Sequence, residues 1–209
     1  MFEKRKQRKL EAAAKAEAAK KASDALAAKL KREEKYKAAF AKWEEDIDEI
    51  EQEIAMCDGA VGGPIDELIL KQGERVFASI QKIDLLESRS VQGYPEMVET
   101  DTGKLHITNQ RIVFQGESKT LESLFSKLVG VQYLKEEVVV SVTNRQKATT
   151  VKINNDVIPL VKRRVDLALA AFHDKLDEHK VLLESELAEL LSNKPKAPRG
   201  FDESSTPKP

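Results

Sequence analysis

The stretch from Gly103 to Gly116, GKLHITNQRIVFQG, constrains the fold more than any other part of the chain. Leu105 and Ile107 fall on one face of an extended segment. Ile112 and Phe114 resume the same two-residue period after the polar break Thr108, Asn109 and Gln110. A period of two predicts a β-hairpin, and a hairpin with one apolar face needs a larger sheet to bury it.

The rest of the 209 residues cannot be one core, because 34% of them are charged and only 5% are aromatic. A central segment of about 100 residues, which holds most of the Val, Ile and Phe, is long enough to fold alone. Charge is blocked along the chain. Residues 1–35 carry twelve Lys or Arg against six acids, and residues 36–57 carry two Lys against seven acids. Such blocks suggest solvated helix faces or polyelectrolyte contacts rather than catalysis. The single Cys57 excludes an intramolecular disulfide and a multi-cysteine zinc site, which is compatible with a reducing cytosol. No run of 18 apolar residues is present to span a bilayer, and the basic start is followed by Ala, Lys and Glu rather than by the apolar core of a secretory signal.

From Lys4 to Met56 there is no Gly or Pro, and Ala, Lys, Glu and Leu dominate, so residues 1–57 are expected as one long charged helix. Its first part is mostly Ala on every face. Its second part spaces Tyr36, Phe40, Trp43, Ile47, Ile50, Ile54 and Cys57 by alternating fours and threes. That is a heptad seam, and it asks for a partner helix. The acids from Glu44 to Glu53 then lie outward as a solvated face. Residues 58–65, DGAVGGPI, break the helix and are expected as a linker.

Beyond the linker, strands are expected near Arg75–Ile80 and Ile83–Arg89. Tyr94, Pro95 and Met97 are expected in a loop or irregular strand, and Asp101–Gly103 in a turn. Val138–Val142 and Thr149–Ile153 read as a strand pair about the turn Thr143–Gln146. Asn154, Asn155 and Asp156 can cap a helix that carries Pro159 in its first turn. Val161, Val165, Leu169 and Phe172 would face the sheet. No breaker occurs between Leu160 and Leu191, so this helix is expected to run on through residues 174–191, with Leu176, His179, Leu183, Leu187 and Leu190 continuing a seam. The two seams can pair antiparallel within one chain or can dimerise. Residues 192–209, with four prolines, are expected as a disordered tail.

Two motifs carry a family resemblance. L-x-I-T-N-Q-R-I-V-F at residues 105–114, together with L-K-Q-G-E-R-V at Leu70–Val76, resembles bacterial PH-like and GRAM-like domains over residues 66–173. The resemblance implies an α+β fold, a small antiparallel PH-like β-barrel capped by a C-terminal helix, with the long N- and C-terminal helices as a stalk. It also implies a docking module. Relatives that hold phosphoinositides use basic residues on the first two strands. Here Arg75, Lys82 and Arg89 are interleaved with Glu74, Asp84 and Glu87, so that pattern is not met.

Catalytic and metal chemistry is weakly represented. His106 lies between the inward Leu105 and Ile107 and is expected on an exposed face. His173 and Asp177 are one helical turn apart, a spacing that suits a surface salt bridge better than a metal site. His179 falls in the seam, as does Cys57, which reads as a packed thiol. No nucleophile elbow occurs, and Gly62, Gly63 and Pro64 lack the Lys-Ser/Thr of a phosphate loop.

The basic residues Lys4, Arg5, Lys6, Arg8 and Lys9 suit an anionic membrane surface, and the lack of aromatics in residues 4–35 limits any nucleic-acid contact to a nonspecific one. The expectation is therefore a non-enzymatic adaptor with no cofactor or metal, cytoplasmic or peripheral to the inner membrane face. Its partner would be a protein, with weak anionic membrane contact and self-association in addition. The candidate helix-pairing seam is Tyr36, Phe40, Trp43, Ile47, Ile50, Ile54, Leu176, Leu183 and Leu187. The alternative is a structural coiled-coil oligomerisation protein with the β domain as a cap.

Overall fold

A computed structural model describes residues 2–60, 68–91, 94–145, 147–198 and 201, with the backbone alone for residues 2–14 and 91. Most of the expected linker, residues 61–65, and the tail beyond residue 201 lie outside the described residues. The first helix, α1, is Phe2–Cys57. It stops at Gly59, whose φ of 109° suits only glycine well. There Ala60 N–H reaches back to Ala55 O at 3.0 Å and Gly59 N–H to Met56 O at 3.2 Å, a closing pattern that satisfies the last carbonyls. Among the described residues, no helix is long and apolar enough to cross a membrane.

The fold is α+β. Seven antiparallel strands follow: β1 Val76–Val91, β2 Tyr94–Thr108, β3 Arg111–Gly116, β4 Thr120–Leu124, β5 Leu128–Leu134, β6 Glu137–Val142 and β7 Thr149–Lys152. Their order across the sheet is β4-β3-β2-β1-β7-β6-β5, so β4 and β5 are its edges. The expected hairpin is β2–β3, in which Leu105 pairs with Phe114 and Ile107 with Ile112. Gly103 lies opposite Gly116, and a Cβ there would run into the Gln115 carbonyl.

Two expectations are corrected here. The segments 75–80 and 83–89 are one strand, β1, because Lys82 adopts a positive φ of 60° and is accommodated as a bulge without ending the pairing. Tyr94, Pro95 and Met97 belong to β2, paired with Val91, Ser90 and Ser88. Along Asp84–Leu86, β1 also pairs with β7, which joins the two halves of the sheet.

Two further helices are α2, Ile158–Phe172, and α3, Leu176–Ser192. Val161, Val165, Leu167 and Ala168 of α2 are buried in one core with Phe77, Leu85, Leu105, Phe114, Val138 and Val151, and Leu169 and Phe172 pack against it. Phe172 meets Phe125 edge-on, with ring centres 5.8 Å apart. The unbroken helix expected from Leu160 to Leu191 is not formed. Asp174 takes φ 56° and Lys175 N–H bonds to Ala170 O at 2.8 Å, repeating at the end of α2 the closing pattern of α1.

The chain divides into two compact units, residues 50–186 and residues 1–49 with 187–209. The first holds the sheet, α2 and the last two turns of α1, whose Met56 is buried in the core. The expected boundary at residue 58 therefore falls inside a unit. In the second unit, α1 and the end of α3 pair antiparallel within one chain. Trp43 Nε1 donates to Leu190 O at 2.8 Å, Lys194 Nζ lies 5.3 Å from the Phe40 ring centre, and Tyr36 meets Phe201 edge-on at 5.0 Å. Residues 194–198 and 201, expected to need no fold, lie against this unit because Lys194 and Phe201 find α1's aromatic rings.

Candidate functional site

The two family-like motifs are built into each other. Gly73 (φ 71°) allows a tight turn in which Glu74 N–H bonds to Lys71 O at 3.0 Å. The side chains of the β2–β3 turn read this turn. Asn109 Oδ1 accepts from Arg75 N–H at 2.7 Å, Asn109 Nδ2 donates to Gly73 O at 3.0 Å, and Gln110 Nε2 donates to Gln72 O at 3.1 Å. Arg111, 3% exposed, forks onto Glu74 through Nε at 2.7 Å and Nη2 at 2.9 Å. It also donates to Ile69 O at 2.8 Å and pairs with Glu122. Thr108 Oγ1 lies 2.8 Å from Glu74 Oε1 and accepts from Arg111 N–H at 3.0 Å.

The electrostatics follow from this geometry. Burial alone would raise the Glu74 carboxyl, but hydrogen bonds from Arg111, the Lys71 N–H and Thr108 outweigh it and hold the group below its ordinary range. Burial alone would lower Arg111, and the bonds to Glu74 and Glu122 leave it raised. The motif residues hold the segment 69–75 against the hairpin. They are occupied structurally and are not open to a ligand.

His106 is corrected in the same region. It was expected to be exposed, yet it is 3% exposed, because the row Ser79, His106, Val113 across β1, β2 and β3 is covered on the face opposite Leu105 and Ile107. Ser79 Oγ and His106 Nδ1 are 2.9 Å apart, within the range of a nucleophile and its base. The pair is a part-buried polar contact between β1 and β2 and lies outside the cleft described next.

The open site lies elsewhere. A cleft of about 540 Å³ has an apolar floor of Leu85, Leu86, Leu121 and Met97, and the β6–β7 turn supplies Arg145 and Lys147 at its rim. Arg145 is fixed there. Its Nη1 donates to Thr149 Oγ1 at 3.0 Å and its Nη2 to Glu122 O at 2.7 Å. Glu87 lines the same cleft. Its carboxylate is lowered first by the Lys119 ammonium, 2.6 Å away, and it also pairs with Arg89 at 3.6 Å. Lys147 is exposed and forms no ion pair among the described residues.

The sequence reading missed Arg145 and Lys147, since a turn of TNRQK carries no pattern that marks it as a rim. Of the three cations it did weigh, Arg89 adjoins the cleft through Glu87. Arg75 lies over the Phe77 ring at 5.5 Å, and Lys82 occupies the bulge.

The seam residues are placed within their units. Tyr36 (8% exposed), Phe40, Trp43 and Ile47 line the helical unit with Leu187, whereas Ile50 (3%), Ile54, Leu176 and Leu183 (4%) lie in the sheet-bearing unit. Glu53, a seam neighbour read as solvated, is 1% exposed. It is held by Arg163 Nη2 at 2.6 Å and Arg164 Nη1 at 3.0 Å, and Arg163 also binds Glu186 at 2.9 Å. This buried acid is a second correction. α2 supplies its counter-charges, over 100 residues away, which no local pattern reveals.

Cys57 is half-buried and its thiol is pushed up, chiefly by burial and then by Asp58. That opposes thiolate chemistry. His173 and Asp177 flank the break between α2 and α3. Among the described residues, no group of three or more His, Cys, Asp or Glu side chains is gathered to hold a metal. The backbone of Lys4–Lys9 is helical, and the side chains of Lys4, Arg5, Lys6, Arg8 and Lys9 lie outside the described residues. No protein-family model matches the chain, and no curated protein matches it.

Proposed function

We propose that the chain is a non-enzymatic PH-like docking module that acts as an adaptor, with a protein as its main partner and an anionic membrane surface as a weaker contact through the basic start of α1. The PH-like reading is supported by the open seven-stranded antiparallel sheet, in which β1 serves both halves, and by α2 packed into the same core. The observation that carries the docking reading is the cleft between the β1–β2 hairpin and the β6–β7 turn. It combines exposed apolar surface at Met97 with cations at Arg145 and Lys147. An apolar floor under a cationic rim suits a protein segment with an acidic residue beside an apolar one.

The test compares capture from native lysate by the unaltered chain and by Lys147→Glu/Met97→Asp, both exposed positions. A partner held by the first and lost by the second supports the reading, and equal capture discards the cleft. For the membrane contact, sedimentation with vesicles containing about 30% phosphatidylserine should drop on deletion of residues 1–35. Undiminished sedimentation removes the basic arm from the account.

A further inference from the structure

We propose that the outer edge of β5 is a self-pairing surface, on which two copies of the chain join antiparallel about Gln132. β5, Leu128–Leu134, reads LVGVQYL and contains no charge and no proline, two of the devices that blunt an edge strand, and its one bulge, between Leu128 and Gly130, leaves Gly130–Leu134 in regular register with β6. It is bonded to β6 on one side only. Among the described residues its other side holds no backbone hydrogen bond to another element. The opposite edge of the sheet is managed differently, since the Arg145 guanidinium caps β4 at the Glu122 carbonyl.

A second copy fits because the strand is complementary to itself. Pairing about Gln132 sets Leu134 of each copy across from Gly130 of the other. Leu134 is 50% exposed, and a side chain at Gly130 would meet nothing within 4 Å. The bare glycine thus offers the space that the exposed leucine needs. The same pairing brings the Lys127 end of each strand to the other's turn end, where Glu136 and Glu137 outnumber Lys135. A two-fold axis satisfies all of these contacts twice. One strand pair buries less than the roughly 1,000 Å² of a stable interface, so the association is weak and belongs to high protein concentration.

Sedimentation equilibrium of the full chain, loaded over a range of concentrations, is the test. The unaltered protein should show a concentration-dependent dimer. Gln132→Lys, at an exposed position, places like charges opposite each other on the axis and should weaken the dimer at least tenfold with an unchanged circular dichroism spectrum. Lys127→Glu should weaken it less, and adding Glu136→Lys should restore it. A strict monomer at the highest concentration overturns the proposal. So does a dimer that Gln132→Lys leaves intact, since its contact would then lie elsewhere, as on the helix seam.

Discussion

Replacing Arg111 with methionine should cost the sheet-bearing unit far more than the loss of one surface charge. Arg111 is 3% exposed, and the side chain of Glu74 is fully shielded from solvent. The substitution removes the fork at 2.7 and 2.9 Å and leaves a carboxylate in the interior with, among the described residues, the Lys71 N–H and Thr108 to stabilise it. Breaking a buried pair from one side costs about 3–5 kcal/mol, a large share of the roughly 5–15 kcal/mol that holds a domain together. With a slope of about 2 kcal/mol per molar urea, a loss of about 4 kcal/mol lowers the unfolding midpoint by about 2 M.

Arg111→Met/Glu74→Gln removes the stranded charge and should recover at least half of that loss, because an amide still accepts the remaining donors. Acid titration gives the second readout. The folded-state Glu74 carboxyl lies below its ordinary value of 4.5, so its contribution is complete above that value and is lost as the pH falls through the lowered one. In Arg111→Met the carboxyl is buried without its guanidinium, so protonation relieves it and the variant's deficit should shrink in acid. A single-variant loss under about 1 kcal/mol, or a double variant as weak as the sum of the two singles, would refute the buried-pair argument.

Other consequences can be measured alongside. Asp174 carries a left-handed backbone at the end of α2, so Asp174→Gly should raise stability by up to about 1 kcal/mol and Asp174→Val should lower it, as read by urea unfolding. Gly103→Ala drives a methyl into the Gln115 carbonyl and should cost about 1–3 kcal/mol by the same assay, with the hairpin amides losing hydrogen-exchange protection first. Trp43 is the only tryptophan and donates to Leu190 O, so truncation after Ser192, which removes Lys194 and Phe201, should shift its fluorescence to the red. An unshifted spectrum would mean that the tail does not shield the indole.

Local patterning revealed the parts that depend on near neighbours. The hairpin at residues 103–116 and the apolar face of α2 follow from periods of two and of three to four, which the backbone imposes directly. The break at Asp174 was hidden because an aspartate performs the turn that glycine performs at Gly59, and aspartate is not a recognisable stop. The single long β1 was hidden for a related reason, since a lysine carries the bulge. Arg111 and Glu74 are 37 residues apart, and Glu53 and Arg163 are 110 apart. In a sequence with 34% charged residues, such pairs cannot be told from any other combination. The cleft is assembled from three separate hairpin ends, so its rim exists only once the sheet has formed.

The Glu53 clamp has a consequence for the order of assembly. α1 leaves the ribosome before the sheet and α2 and can coil from its own composition, yet the acid near its end finds its two guanidinium partners only after residue 164 has been made. Until then the buried Glu53 at the helix end lacks both of these counter-charges. The Glu53 clamp thus closes only once α2 has been made, and a protein cut to begin at residue 66 would leave Arg163 and Arg164 facing an empty berth.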